Sequence, residues 1–260
     1  MQQRQIDRTQ YFNELAQTSE KYFLPYISAY KEPTPGMKIL EIGCGDGGNL
    51  LPFSRRGCKV TGVDMSPSRI EVARKCFAEE QAEGEFIASD IFKITELQHQ
   101  FNLIICHDVL EHIGDKLLFM QNIRRYLAPD GILFMSFPAW QMPFGGHQQI
   151  CHNRLLSHLP FFHLLPKKLY KAVLKLGKES DAAIDELMDI KDTRCSIECF
   201  ESVKKATNFK VLNRRLYFIN PHYEVKFHLR PRLLWPVIGN IPWVRNFFTT
   251  SCFYILKVAD

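Results

Sequence analysis

Between residues 39 and 50 the chain reads ILEIGCGDGGNL, and its glycines fit two nucleotide-binding turns at once. Gly43, Gly45 and Gly48 satisfy G-x-G-x-x-G, the spacing of a dinucleotide turn, while Glu41, Gly43, Gly45 and Gly47 satisfy E-x-G-x-G-x-G. Glycine lets the backbone turn tightly and lets a ligand approach it, and a following helix offers unpaired amides to an anionic group. Further along, Asp64 closes KVTGVD, Ser89-Asp90 follows EFIA, and HDVLEHI gathers His107, Asp108, Glu111 and His112. WQMPFGGHQQICH adds His147, on a Gly145-Gly146 turn, and His152. A histidine that titrates near neutrality can take the proton of a hydroxyl, so His147 leads the candidate acid–base residues, with His112 and Glu111 beside it. His147, His152 and Glu111 also have metal-ligating side chains. They come from separate segments without a recognised ligand spacing, and no metal site is expected.

Positioning such residues takes a regular scaffold, and the chain alternates short apolar runs with helical ones. MKILEI, KVTGVD, EFIAS, FNLIIC and GILFMSF read as strands; GNLLPFSRRG, SPSRIEVARKCFAEEQ and IGDKLLFMQNIRRYLAPDG read as the helices between them. Ser66 followed by Pro67 is a helix start, the hydroxyl serving as cap. Alternation of this kind makes a parallel sheet with right-handed crossovers and helices on both faces. Residues 7 to 30 carry Tyr11, Leu15, Tyr22 and Tyr26 at helical spacing and predict a helical N-terminal cap over 1–35. A core over 36–138 follows. The alternation stops after Pro138, and 139–195 is too long for a connection, which predicts a helical insertion. SIECFESVKKATNF, NFKVLNRRLYFI and SCFYILKV resume the sheet over 196–260, interrupted by the apolar, basic HLRPRLLWPVIGNIPWVRNFF. The whole of 1–260 is read as one domain, since 260 residues suit a single core with an insertion.

In a doubly wound sheet, ligands sit beyond the carboxyl ends of the strands, and the loop after the first strand is part of that site. Asp64, at the end of the second strand, can accept from both hydroxyls of an adenosine ribose, which serves NAD and S-adenosylmethionine equally. Glu41 and Asp46 separate them: two carboxylates beside the loop repel a pyrophosphate but suit a ligand carrying an ammonium and a sulfonium. An aspartate at position 90 can take the exocyclic amine of adenine. ILEIGCGDGGNL, VTGVDMS, ASDIF, CHDVLEHI and LAPDGILFMSFP, in order over residues 36 to 138, resemble the successive motifs of class I S-adenosylmethionine-dependent methyltransferases, near the ubiquinone-biosynthesis O-methyltransferases. The resemblance implies an α/β fold with a seven-stranded, Rossmann-like, doubly wound sheet in the order 3-2-1-4-5-7-6, the last strand antiparallel. It implies S-adenosylmethionine as cofactor and S-adenosylhomocysteine as product. By position it places Gly43, Gly45 and Gly47, with Glu41, around the methionine moiety. Asp64 and Met65 fall at the ribose, Asp90 and Ile91 at the adenine, and His107 and Asp108 along the cofactor. Tyr11 becomes the aromatic that closes over it.

The acceptor is less specified. Residues 154 to 178 hold Arg154 and five lysines with no acid, and Lys168, Lys171, Lys175 and Lys178 recur opposite Leu165, Leu169, Val173 and Leu176. Residues 201 to 260 carry ten Lys or Arg against Glu201, Glu224 and Asp260 within a net charge of +5. These insertions are expected to form a substrate lid over a small or lipid-linked acceptor methylated at oxygen, with a peripheral membrane contact. Methylation of nitrogen or carbon stays open, as do a non-catalytic S-adenosylmethionine-binding module and an NAD-dependent oxidoreductase. Nucleic acid is not an expected partner, because HDVLEH stands where an N-P-P-Y-type motif would follow the fourth strand. Eight scattered cysteines without a C-x-x-C pair, and no long apolar run, predict reduced thiols in a cytoplasmic protein.

Overall fold

The computed structural model describes residues 7–259, so the first six residues of the predicted cap lie outside it. The Asp7 carboxylate accepts the Gln10 amide and starts α1 (Arg8–Thr18). A π-helical turn, Ser19–Phe23, joins it to α2 (Leu24–Ser28). Pro25 has no amide to donate one turn back, and the hydrogen-bond register widens there.

Five parallel strands follow: β1 (Lys38–Ile42), β2 (Lys59–Asp64), β3 (Glu85–Ala88), β4 (Phe101–His107) and β5 (Leu127–Phe137). Between them lie α3 (Leu51–Ser54), α4 (Pro67–Glu79) and α5 (Lys116–Tyr126). Side chains alternate between the two faces of a strand. Leu40, Ile104, Leu133 and Met135 pack on one face with Phe119, Met120 and Ile123 of α5. Ile39, Leu103, Ile105 and Phe134 pack on the other with Phe12, Phe23, Ile27, Ala73 and Phe77 of the cap and α4. Both faces are covered, so the central strands read as continuous apolar runs. Ser66 makes no side-chain cap to α4; its hydroxyl lies 3.0 Å from that of Ser68, and its amide donates to Asp64.

After β5 come α6 (Arg154–His158), α7 (Lys167–Leu176) and α8 (Asp181–Thr193), which hold a separate small core of Leu156, Phe162, Tyr170, Leu174, Ile184 and Leu187. Here the apolar stripe expected on α7 is corrected. Tyr170 and Leu174 turn inward, the former 5.0 Å from the Phe162 ring, while Leu169 and Leu176 are exposed.

The chain then returns through α9 (Ile197–Ala206) and β6 (Phe209–Ile219) to an excursion of α10 (His222–Phe227), β7 (Arg232–Leu233), α11 (Pro236–Gly239) and α12 (Val244–Phe248), closed by β8 (Ser251–Val258). The sheet order is β3-β2-β1-β4-β5-β8-β6-β7, with β8 antiparallel to both β5 and β6. The predicted order of seven is therefore present, extended at its edge by an eighth strand of two residues that pairs with Tyr217 and Ile219. Among the described residues no helix is long and apolar enough to cross a membrane, and all eight cysteines are unpaired.

Candidate cofactor and acid–histidine site

The glycine loop leaves β1 with Gly43, Gly45 and Gly47 at φ of 71°, 53° and 84°, the left-handed region that costs glycine nothing. A Cβ on Gly43 would also stand 2.3 Å from a Val109 methyl, so the loop packs directly under the end of β4. Gly48 has another purpose: a Cβ there would lie 2.3 Å from the Phe12 carbonyl oxygen, so its bareness lets α1 close onto the loop.

Glu41, within β1, is buried, and Asn49 Nδ2 donates to one of its oxygens at 2.7 Å while the other has no hydrogen-bond partner. Burial, reinforced by the nearby Asp64, raises its pKa to about 8. An orphaned, buried carboxyl oxygen beside a glycine turn fits a cationic ligand group, which would satisfy it. Asp46 is fully buried as well; neither of its oxygens has a hydrogen-bond partner, and the carboxylate faces Arg8 at 3.5 Å and Arg69 at 3.6 Å.

Asp64 accepts the Gly45 amide on one oxygen and the Ser66 amide on the other, both at 2.9 Å, tying the loop to the end of β2. Each oxygen keeps a lone pair for a further donor. Met65 next to it is 75% exposed, an apolar plate at the sheet's rim. Asp90 caps a short 3-10 turn through the Phe92 amide at 3.0 Å, and Ile91 is buried behind it. Tyr11, on α1, feels the charges of Arg69, Asp108, Asp46 and Arg8, and burial raises its phenol to about 12. Tyr223, on α10, likewise feels Asp108 and is raised to about 12, first by burial. Tyr223 was not anticipated; its only signal in sequence is an aromatic within the excursion.

At the end of β4, the His107 ring packs 4.9 Å from that of Phe23, its Nε2 lying 3.7 Å from the Asp108 carboxylate. Asp108 stands at φ 53°, an unusual conformation for a non-glycine residue. One turn on, Glu111 is 3% exposed, and neither carboxylate oxygen has a hydrogen-bond partner. Burial, together with Asp108, pushes its pKa well up. His147 Nε2 lies 4.0 Å from Glu111 Oε1, and its ring stands 5.2 Å from that of His112. Burial lowers the pKa of both histidines, that of His147 to about 4, so each imidazole is neutral at pH 7. His147 itself adopts φ 55°, and Gly146 before it lies against His163, where a Cβ would meet the His163 Cβ at 2.3 Å. His163 is buried, its Nε2 2.8 Å from the Trp140 carbonyl, and it packs against this loop.

The structure thus brings Glu111, His112 and His147 together, with one potential ligand atom from each lying within 4.8 Å of the others. His152 is elsewhere, 3.5 Å from Glu179. The three clustered residues could hold a metal ion.

A methyltransferase domain family matches residues 33–177, more than half of the chain, and the chain belongs to that family. Fold, family and motif order together define a class I S-adenosylmethionine-dependent methyltransferase. Among curated proteins, the ubiquinone biosynthesis O-methyltransferase of Actinobacillus pleuropneumoniae is 35% identical over 118 residues, covering 44% of this chain and 50% of that protein. The chain spans about half the length of the curated relatives it matches. Among solved structures, the magnesium protoporphyrin IX methyltransferase of Synechocystis, with bound S-adenosylhomocysteine, superimposes with a TM-score of 0.56 at 15% identity, covering 95% of this chain and 84% of that one. The Haemonchus contortus phosphoethanolamine N-methyltransferase 2, in complex with phosphomonomethylethanolamine and S-adenosylhomocysteine, gives 0.57 at 15% identity, covering 91% and 52%. These two show the shared fold.

Proposed function

We propose that the chain methylates a hydroxyl oxygen of a small, amphipathic or lipid-associated acceptor, with a peripheral membrane contact. The observation that carries this is the buried Glu111 carboxyl, without a hydrogen-bond partner, beside the neutral imidazoles of His147 and His112. An amine acceptor needs only to be neutral, whereas a hydroxyl must lose its proton. A proton-accepting cluster at the end of β4 has a use in the second case. The likeness to ubiquinone-biosynthesis O-methyltransferases over residues of the same core supports the same choice of atom.

S-adenosylmethionine, when bound, supplies the methyl electrophile. The chain's part is to seat it, with Glu41 and the Gly43–Gly47 turn toward the amino-acid end, Asp64 and Met65 toward the ribose, and Asp90 and Ile91 toward the adenine. Tyr11, His107 and Asp108 flank the same space, and residues 139–195 form the lid that excludes water. His147 Nε2 then takes the acceptor's proton, and the Glu111 carboxyl oxygen 4.0 Å away faces the imidazolium that forms. Incubation with isotopically labelled donor, with amphipathic phenols and catechols set against primary amines, tests the reading by locating the label in the product. Label on nitrogen or carbon alone overturns it.

A second reading is favoured by the ligand geometry: a divalent cation held by Glu111, His112 and His147 would satisfy both orphaned carboxylate oxygens and use two imidazoles already in the neutral, metal-binding form. Such an ion would lower the pKa of an acceptor hydroxyl in place of a protein base. Metal analysis of chelator-treated and reconstituted protein, with His147→Ala as control, separates the two. Full activity without metal selects the base.

A further inference from the structure

We infer that the excursion between β6 and β8 docks this protein onto an anionic phospholipid bilayer. This deepens the reading of a lipid-associated acceptor by naming the face that meets the lipid. Trp235 is 75% exposed, Val237 77% and Trp243 61%, with Leu229, Leu233, Ile241, Phe247 and Phe248 also exposed along the same stretch. At about 250 Å² for a fully accessible indole, the two tryptophans alone offer roughly 300 Å² of largely apolar surface. The largest patch on an ordinary monomer is roughly 300–600 Å² in all, and the aliphatic and phenylalanine side chains come on top. The lid joins this face: the ring of Phe161 lies 6.4 Å from that of Phe247.

The exposed indole of Trp243 is held, not loose. The Trp243 amide donates to Glu198 Oε1 at 2.9 Å, Arg245 Nε donates to the same oxygen at 3.0 Å, and Asn246 Nδ2 donates to Oε2 at 2.6 Å. These bonds fix the turn to α9 although Trp243 stands at φ 67°; Phe161, which faces Phe247, stands at φ 64°. Bulky residues in that region are conformational outliers. A rigid turn that aims aromatic rings at water suits an interface that is apolar on the far side.

Charge complementarity identifies the occupant. Between residues 225 and 250 no carboxylate side chain occurs, and of the basic residues there Lys226, Arg230 and Arg232 precede the apolar stretch while Arg245 is buried against Glu198. Residues 139 to 178 of the lid likewise contain no Asp or Glu. Arg230 and Arg232 are exposed at the start of the apolar stretch. Basic residues around exposed tryptophan and aliphatic side chains match the headgroup and acyl layers of an anionic membrane.

The test is sedimentation of the full chain with phosphatidylcholine vesicles, with and without phosphatidylglycerol, while tryptophan emission is recorded. Retention on the anionic vesicles, a blue shift of emission and loss of retention at high salt are expected. Arg230→Gln and Arg232→Gln should each weaken partition about fivefold, equivalent to about 1 kcal/mol per basic residue. Trp235→Ser with Trp243→Asn should remove the blue shift and leave donor binding intact, which establishes that the variant is folded. No retention of the wild-type chain, or equal retention of the variants, overturns the assignment. So does a dimeric mass in solution that the tryptophan substitutions abolish, since the face would then belong to a second copy. Vesicle binding needs neither donor nor acceptor, so its failure leaves the methyl-transfer reading standing, and absence of methyl transfer leaves the docking result standing.

Discussion

If Glu41 meets the cationic end of the methyl donor, binding must release a proton. In the free chain burial holds the Glu41 pKa at about 8, with Asp64 adding to the effect and Asn49 opposing it. The thiols of Cys44 and Cys106, which also feel this carboxylate, are themselves pushed up by burial and stay neutral. At pH 6.0 only about 1% of Glu41 is ionised and at pH 7.5 about 24%, from the standard titration relation. A cation that binds only the ionised form therefore gains about 25-fold in affinity over that interval. The interval stops at 7.5 because the donor's own α-amino group titrates near 7.7–8.0. Calorimetry with S-adenosylmethionine and S-adenosylhomocysteine, in buffers of different ionisation enthalpy, measures both affinity and proton release. Glu41→Gln keeps the volume and an acceptor for Asn49, so the free variant should fold and bind weakly with no dependence on pH. The sign for stability is opposite to that for binding. The raised carboxyl binds its proton more tightly folded than unfolded, so its contribution is full below about pH 4.5 and lost progressively up to about 8. Flat wild-type affinity between pH 6.0 and 7.5, without proton release, would refute the placement of Glu41 against the donor's charge.

Other substitutions probe separate parts of the site. Asp64→Ala removes a charge-assisted acceptor and should weaken donor binding by about 1.5–3 kcal/mol, read by calorimetry; because it also frees the Gly45 and Ser66 amides, a fall in melting temperature is expected with it. Gly48→Ala inserts a methyl 2.3 Å from the Phe12 carbonyl oxygen and should cost about 1–3 kcal/mol, with limited proteolysis opening first in α1. His147→Ala should lower turnover about 10²- to 10⁴-fold at unchanged donor affinity, in single-turnover assays with saturating donor. An equal loss in affinity would place His147 in the cofactor's seat instead.

The central sheet was legible because strands buried on both faces are predominantly apolar, and KILEI, FNLIIC and GILFMSF are so apart from Lys38, Glu41, Asn102 and Ser136. The edge strand was not: Arg232–Leu233 lies beside Pro231 and carries no alternation, so only the pairing with β6 defines it. The surroundings of Asp46 were not legible either: its sequence neighbours are glycines, while Arg8 and Arg69, which face it, come from two different helices. Glu111, His112 and His147 were chosen individually from side-chain chemistry. Their approach depends on the lid loop folding back through the Gly146–His163 contact, which has no local signature. The Gly48 case runs the other way. A glycine that completes a dinucleotide pattern is explained by helix packing, and its φ is not among the left-handed ones of the loop.

Backbone conformation offers a separate criterion for where function sits. Among the described residues, nine other than glycine have positive φ. Gln81, Lys178, Asn208 and His228 fall at the ends of α4, α7, α9 and α10, where a left-handed residue closes a helix by satisfying its last carbonyls. His99 sits in the turn before β4, and it, Asp108, His147, Phe161 and Trp243 close no helix. Asp108 and His147 stand at the carboxylate–histidine cluster, and Phe161 and Trp243 belong to the exposed apolar face, where the Phe161 ring lies 6.4 Å from that of Phe247. Left-handed backbone in a side chain of that size costs of order 1–3 kcal/mol and persists only where the surroundings fix it. For Trp243 the fixing comes from the three bonds to Glu198, and for His147 from the packing of Gly146 on His163. Fold stability alone would favour glycine or asparagine at these four positions. The residues actually present are an acid, an imidazole and two aromatics, which suits the proposed donor seat and proton acceptor at one pair and the proposed apolar interface at the other.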